Sequence, residues 1–488
     1  MQRIRFKYLA FAALLMLGAC GKDIEKYNED KNGAEFINPE YLLSSVILST
    51  ASDYQREAYM DKPASAGRYI TMVRNEGNDK FNWGPQSWDG IYSRLSYNKS
   101  LFEMIEHFGQ PEYLPYARII RAFNFAYATD LFGDVPYSKA LLSKSEGNIR
   151  PEYDRQEAIY PDLVKELREA NDQLAAQTRE INKSQDGLYK ADPLKWRKFA
   201  NSLRLRLLLR MSKNFPAAFT EMQAIVSDKT KNPIFESNAD NAEVQYAGTQ
   251  KDNSWPGGTM ATSYEEFDKR KPSKEIIDAL YARNDPRLEA WFEKVKTHGT
   301  VDTRDYVGVP NAIQAPYDYN GGYDYISRLA PMFNGDKGAM IPASLMTYSE
   351  VCFILAEAAQ AGKITVTGKT AESLYYDGIR ANMLFYGVLD EAETANYFDQ
   401  PVVKYNGTLE QLINQKWIAM FLKGSEGWFD HRRTGFPKFV LGPLSSSTTL
   451  PKRYMYPDSE TRTNLDAYNR AVAVFGQDKQ TTLMWYLK

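Results

Sequence analysis

Asp192-Pro193-Leu194-Lys195-Trp196-Arg197-Lys198-Phe199-Ala200-Asn201-Ser202-Leu203-Arg204-Leu205-Arg206-Leu207-Leu208-Leu209-Arg210-Met211-Ser212-Lys213 opens on a carboxylate suited to helix capping. Pro193 follows at the first helical position, where a missing N–H costs nothing. Trp196, Phe199, Ala200, Leu203 and Leu207 then recur at the three- and four-residue spacing of one helix face. Arg204, Arg206 and Arg210 fall off that stripe. They are expected to pair with carboxylates on neighbouring helices rather than to meet a ligand. The stretch predicts a helix over 193–213.

The pattern repeats in both directions. Tyr41, Leu42, Val46 and Ile47 start a helical run at Pro39. Trp88, Ile91, Tyr92, Leu95, Phe102 and Ile105 predict a helix over 87–107, stopped by Gly109 and Pro111. Ile119, Ile120, Phe123, Ala126 and Tyr127 predict another over 115–132, with Gly133 as its C-terminal stop. Asp154 and Glu157 have capping-box spacing ahead of Leu163, Val164, Leu167, Ala170 and Leu174, and Pro161 predicts a kink there. Further helices are expected over 274–282, 344–361, 370–385 and 408–422. Residues 230–270 and 296–345 are rich in Gly, Pro, Asn and Tyr and predict long ordered loops. Loops of that length are usually functional or disordered. The tail from Gly427 reads as loop. Helix following helix predicts an all-α fold, with hairpins stacked like a short solenoid, although no 34-residue repeat signature is present.

Arg3, Arg5 and Lys7 precede an apolar run over 8–17 and then Leu17-Gly18-Ala19-Cys20. The run is too short to span a bilayer; the layout is that of a secretory signal peptide, and its end resembles a bacterial lipobox. Cys20 is then the first mature residue and carries acyl chains, more than one being needed for stable anchoring. The expected organisation is a signal peptide over 1–19, a lipidated polar tether over 20–35 and a single domain over 36–488. Of the 488 residues 43% are hydrophobic and 25% charged, as in a globular protein. Loss of the three leader cations takes the formal charge from −2 to −5, and no basic stripe points to nucleic acid. Cys352 is left alone in an apolar run and reads as a buried small hydrophobe. His107, His298 and His431 have no zinc-site spacing, so neither metal nor cofactor is expected. The 33 Tyr and 8 Trp are an excess suited to stacking on flat apolar faces.

Several stretches together resemble the SusD/RagB family of outer-membrane lipoproteins, in its SusD-like branch. They are Ala128-Thr129-Asp130-Leu131-Phe132-Gly133-Asp134-Val135-Pro136-Tyr137, Lys195 to Leu207, Asn284-Asp285-Pro286-Arg287, Glu426-Gly427-Trp428-Phe429-Asp430-His431-Arg432-Arg433-Thr434-Gly435 and Arg453-Tyr454-Met455-Tyr456-Pro457. The resemblance implies tetratricopeptide-like stacked helix pairs beneath a long loop-rich ligand face. It also implies an outer-membrane lipoprotein, lipid-anchored and facing the cell exterior. Such a protein binds an oligomeric nutrient, a glycan first, and acts as a lid delivering it to a SusC-like TonB-dependent β-barrel transporter without bond cleavage. A peptide-capturing member and a surface-anchored glycoside hydrolase are the alternatives.

Physically, 131–136 reads as a helix stop and turn, and 427–433 as a buried hub of aromatics and ion pairs. No Gly-x-Ser-x-Gly elbow is present. Gly362 and Gly368 are separated by five residues where a phosphate loop needs four, so Gly362 reads as a helix cap. Sixty-two acidic residues leave a glycosidase pair undecided, but no acid/base motif stands out, and no enzyme is expected. Binding candidates come from three aromatic loops: Asn78, Asp79 and Trp83 with Trp88; Trp255 with Tyr264; and Tyr317, Tyr319, Tyr323 and Tyr325. Tyr-rich loops suit adaptive recognition. Asp318, Asn320 and Asp324 offer oxygen ligands as a calcium alternative.

Overall fold

In the computed structural model, residues 36–60, 62–74, 77–334 and 341–488 are described. The expected leader, Cys20 and tether lie outside them, as do Asn75 and Glu76 of the first aromatic loop. The chain divides at Asn38/Pro39, and the described helices and strands all lie in 39–488. Counting helices of eight residues or more in chain order, they are α1 (Pro39–Met60), α2 (Asp89–Phe108), α3 (Leu114–Phe132), α4 (Gln156–Ala175), α5 (Pro193–Met211), α6 (Ala218–Ser227), α7 (Lys274–Tyr281), α8 (Tyr348–Gln360), α9 (Ala371–Phe385), α10 (Glu391–Asp399), α11 (Leu409–Ala419), α12 (Glu426–Thr434) and α13 (Leu465–Phe475). Short strands β1 (Ile70–Met72), β2 (Ala242–Val244), β3 (Arg270–Pro272), β4 (Phe292–Glu293), β5 (Arg328–Leu329) and β6 (Ala343–Met346) form antiparallel pairs β1–β3, β2–β6 and β4–β5.

From α1 to α6 each helix packs on the next, and α8 packs on α9 and α11. These are the stacked helix pairs expected. Asp192 caps α5 as its sequence requires, accepting from the Leu194 and Lys195 N–H groups at 2.9 and 3.2 Å. The second half of α5 is buried on every side, not along one stripe. Its arginines survive burial because carboxylates meet them. Arg206 grips Glu350 of α8 through two contacts of 2.6 Å, and Arg210 joins Asp130 of α3 to Glu426 of α12. Arg204 instead donates to the amide oxygens of Asn201 and Asn232 at 2.9 and 3.2 Å. Cys352 is buried, and burial pushes its thiol up to about 12.

The turn after α3 is structural. Gly133 has φ +89, and an added Cβ would lie 2.6 Å from the Phe475 ring. The Asp134 carboxylate accepts from the Gln156 N–H at 2.8 Å and so holds the start of α4. Asp154 does not cap that helix; it binds the Tyr137 and Ser138 N–H groups at 3.0 and 2.8 Å. The helix runs through Pro161 as one element. Residues 344–346 are strand, not helix: with Ala343 they pair with 242–244, and Thr347 caps α8 behind them. Gly362, at φ +66, closes the end of that helix, its N–H donating to the Ala359 carbonyl at 2.9 Å.

The tail is not the expected loop. The α12 helix lacks an apolar repeat and is held by ion pairs instead: Asp430 with Lys416 at 2.7 Å, and Arg433 with Glu357 at 2.5 Å. It is the buried hub expected of 427–433. Gly427 is required there, since a Cβ would sit 2.0 Å from the Tyr69 hydroxyl. The α13 helix buries Ala467, Ala471 and Phe475 at four-residue spacing, a stripe too short and too rich in alanine to stand out in the sequence. Among the described residues no helix is long and apolar enough to cross a membrane.

Candidate ligand site

The register of β1 on β3 sets Thr71 opposite Lys271 and Met72 opposite Arg270. The Val73 N–H then donates to the Lys269 carbonyl at 3.0 Å. That pairing carries the segment after β1 against the helical turn at 264–268. A third segment, 316–325, folds over both. Its shape is fixed by Asn320, whose Oδ1 accepts from the Val301 and Asp302 N–H groups at 3.2 and 2.8 Å. Its Nδ2 donates to the Asp302 and Tyr325 carbonyls at 2.9 and 3.0 Å. Gly321 adopts φ +118 with the Tyr325 ring packed 3.1 Å from where a Cβ would stand. Gly321 therefore helps to build a defined turn.

These three segments enclose a cavity of about 340 Å³ lined by Val73, Arg74, Tyr264, Glu265, Asp268, Lys269, Tyr317 and Tyr323. The Tyr317 and Tyr323 rings lie 5.7 Å apart at 33°. Arg74 stands 5.0 Å over Tyr317 and pairs with Glu265 at 2.9 Å. Tyr323 has the Lys271 ammonium 3.9 Å and the Arg328 guanidinium 4.4 Å from its ring centre. Lys271 also pairs with Asp268 at 2.7 Å. Its burial outweighs that carboxylate and lowers the ammonium to about 8. Tyr264 is 58% exposed at the rim. Its phenol is raised by partial desolvation and by its hydrogen bond to Asp268.

Of the candidates named from sequence, the structure brings Tyr264, Tyr317 and Tyr323 together. Tyr319 is half-buried and packs on Val73, Val307, Val309 and Ile326. Four others have side chains turned into the core. Trp83 meets Trp428 and Tyr454 edge-on at 5.6 Å and donates to the Asn78 carbonyl at 2.9 Å. Trp88 packs on Tyr92 and Phe132 at 5.3 Å, and Trp255 on Tyr59 at 4.9 Å. Asp79 is buried, accepting from the Met72 N–H at 2.7 Å. For the three tryptophans the physical reason is size: in short loops over a helical core the indoles fill space beneath the backbone, whereas Asp79 is held inside by the Met72 N–H. Asn78 is half-exposed and lends its carbonyl to that packing. The calcium alternative loses Asn320 to the loop's own N–H groups, and Asp324 pairs with Arg328 and Lys296. Arg74, Asp268, Lys271 and Arg328 were not foreseen. They are spread over more than 250 positions, and only strand pairing unites them.

A family model described as starch-binding and associating with the outer membrane, SusD-like, matches residues 30–457. A Bacteroides vulgatus ATCC 8482 outer-membrane protein, associated by its description with nutrient binding, is 27% identical over 93% of this chain and 100% of its own, with a TM-score of 0.81. A SusD homologue from Bacteroides fragilis NCTC 9343 is 27% identical over 93% and 99%, with a TM-score of 0.79. A chitin-binding protein is 25% identical over 92% and 100%, with a TM-score of 0.78. No curated protein matches. With tetratricopeptide-like helix pairs under a loop-built face and a family match across nearly all of its length, this chain belongs to the SusD-like family.

Proposed function

We propose that this chain is a surface lipoprotein that captures an oligomeric glycan. It hands the glycan to a SusC-like TonB-dependent β-barrel transporter, closing over the barrel as a lid and breaking no bond. The observation that carries the reading is the tyrosine cavity. Its cations are already matched by carboxylates, Arg74 by Glu265 and Lys271 by Asp268. What it offers a ligand is therefore aromatic surface, hydroxyls and peptide groups. Such a surface suits uncharged rings bearing hydroxyls, and the starch and chitin descriptions of its relatives point the same way.

Tyr264→Ala and Tyr317→Ala test it. Both side chains are exposed enough to leave the core unchanged. Each variant is expected to weaken binding of maltohexaose or chitohexaose about three- to tenfold by calorimetry, with an unaltered melting temperature. Unchanged affinity in both would place the site elsewhere, and binding of casein peptides in preference to either sugar would favour the peptide-capturing alternative. For the anchor, Cys20→Ala should move the protein from the membrane pellet to the soluble fraction of cells. Retention in the pellet would remove the lipoprotein claim. A mild-detergent pull-down of the unaltered protein should bring a large β-barrel with it.

A further inference from the structure

We propose a second carbohydrate-contacting pocket, bounded by Tyr281, Asn284, Leu288, Tyr306, Asn396 and Gln400, that takes an uncharged segment of the same glycan. The proposal rests on the glycan reading of the tyrosine cavity. Glu293 pairs with Arg328 across β4 and β5, and Arg328 lies over the Tyr323 ring at that cavity, whereas the next residue, Lys294, lines this second pocket. The chain passes from one to the other at the end of β4.

The pocket has a volume of about 650 Å³, within the usual range of small-molecule sites. Tyr281 and Tyr306 form an aromatic corner, with ring centres 6.2 Å apart at 63°. The Tyr281 hydroxyl oxygen accepts from the Tyr306 N–H at 3.1 Å, which leaves its own O–H to donate. Charge at the rim is largely cancelled: Lys294 and His298 both contact Asp305, at 3.0 and 3.1 Å, and the Asp285 carboxylate is taken by Arg287 at 2.6 Å. Glu289 is exposed and brings a carboxylate, two acceptor oxygens with one negative charge, to the rim.

Against this background stand two exposed amides, Asn284 and Asn396, whose side chains have no partner among the described residues. Asn284 is set firmly. It adopts φ +44, its N–H donates to the Tyr281 carbonyl at 3.1 Å, and the Asp285 N–H donates to the Leu280 carbonyl at 3.0 Å. An amide presents a donor and an acceptor side by side, which neighbouring sugar hydroxyls can meet together. Gln400 is anchored through its Nε2 to the Arg283 carbonyl at 2.6 Å and keeps its oxygen for the cavity.

Hydrogen exchange on the full mature chain, with and without saturating maltohexaose or chitohexaose, tests the proposal. Slowed exchange is expected over 281–289 and 394–400 with at least one sugar. It should be lost in Asn284→Gly, which keeps the positive φ accessible, and in Asn396→Ala. Each variant should also bind that hexamer about three- to tenfold more weakly. Absence of protection over 281–289 with both sugars overturns the second pocket, whatever happens at 316–325. Protection at 281–289 without any at 316–325 would leave this pocket standing and remove the tyrosine cavity from the proposed function.

Discussion

Arg210→Met is expected to cost about 3–5 kcal/mol of folding stability near neutral pH, the loss typical when one partner of a buried ion pair is removed. The Arg210 guanidinium is buried between Asp130 and Glu426, themselves 2% and 3% exposed. It joins α3, α5 and α12, and through Glu426 the network reaches Arg206 at 3.8 Å and then Glu350 of α8. Methionine keeps most of the volume but leaves two carboxylates facing each other in one buried site. Burial already raises Asp130, while the arginines hold Glu426 below its ordinary value. Without Arg210 the pair will take up a proton. A carboxyl whose folded pKa lies above its unfolded one stabilises fully at low pH, and that contribution is lost as pH rises through the folded value. The deficit of Arg210→Met should therefore be smaller at pH 5 than at pH 8. Arg210→Lys should recover only part, because a single ammonium cannot reach both carboxylates as the planar fork does. Urea unfolding at the two pH values checks this; a deficit below about 1 kcal/mol at pH 8 would mean the network does not hold the helices together.

The same network explains what could be read in advance. The α5 helix is long, periodic and capped by its own sequence, so local rules were enough. Glu426 to Thr434 has no apolar repeat. Its helix exists because Lys416 and Glu357, on other helices, neutralise Asp430 and Arg433. Likewise Ser344 to Met346 continues the apolar character of the helix behind it, yet pairs with a strand a hundred residues earlier. Nothing local records such a partner. The candidate site divides in the same way. Aromatic loops were recognisable by composition, but composition does not say which rings face solvent. Tyr264, Tyr317 and Tyr323, with a hydroxyl that prefers water, reached the cavity and its rim; Trp83, Trp88 and Trp255, larger and less polar, went into the core.

Asp79, expected from sequence to touch ligand, illustrates the consequence of that division, and Asp79→Asn should flatten the pH dependence of stability. The carboxyl is 1% exposed and holds the Met72 N–H at the end of β1. Burial outweighs that hydrogen bond and the neighbouring Arg68, and pushes it from the ordinary 3.8 up to about 7. Since the folded value is the higher one, this group stabilises fully below about pH 4, and its contribution fades as pH rises through 7. At about 1.4 kcal/mol per unit, the loss approaches about 4 kcal/mol by pH 8. Asparagine imitates the protonated form: it keeps an acceptor for Met72 and has no proton to lose. The variant should match the parent at about pH 4 and exceed it by about 1–3 kcal/mol at pH 8, a range that allows for relaxation around the charge. Parallel stability profiles for the two proteins would refute the assignment. Because Met72 leads directly into Val73 and Arg74 at the tyrosine cavity, the test also bears on function. If Asp79 only shapes the loop, Asp79→Asn will leave glycan affinity at pH 5 unchanged; a change there would return this residue to the ligand site.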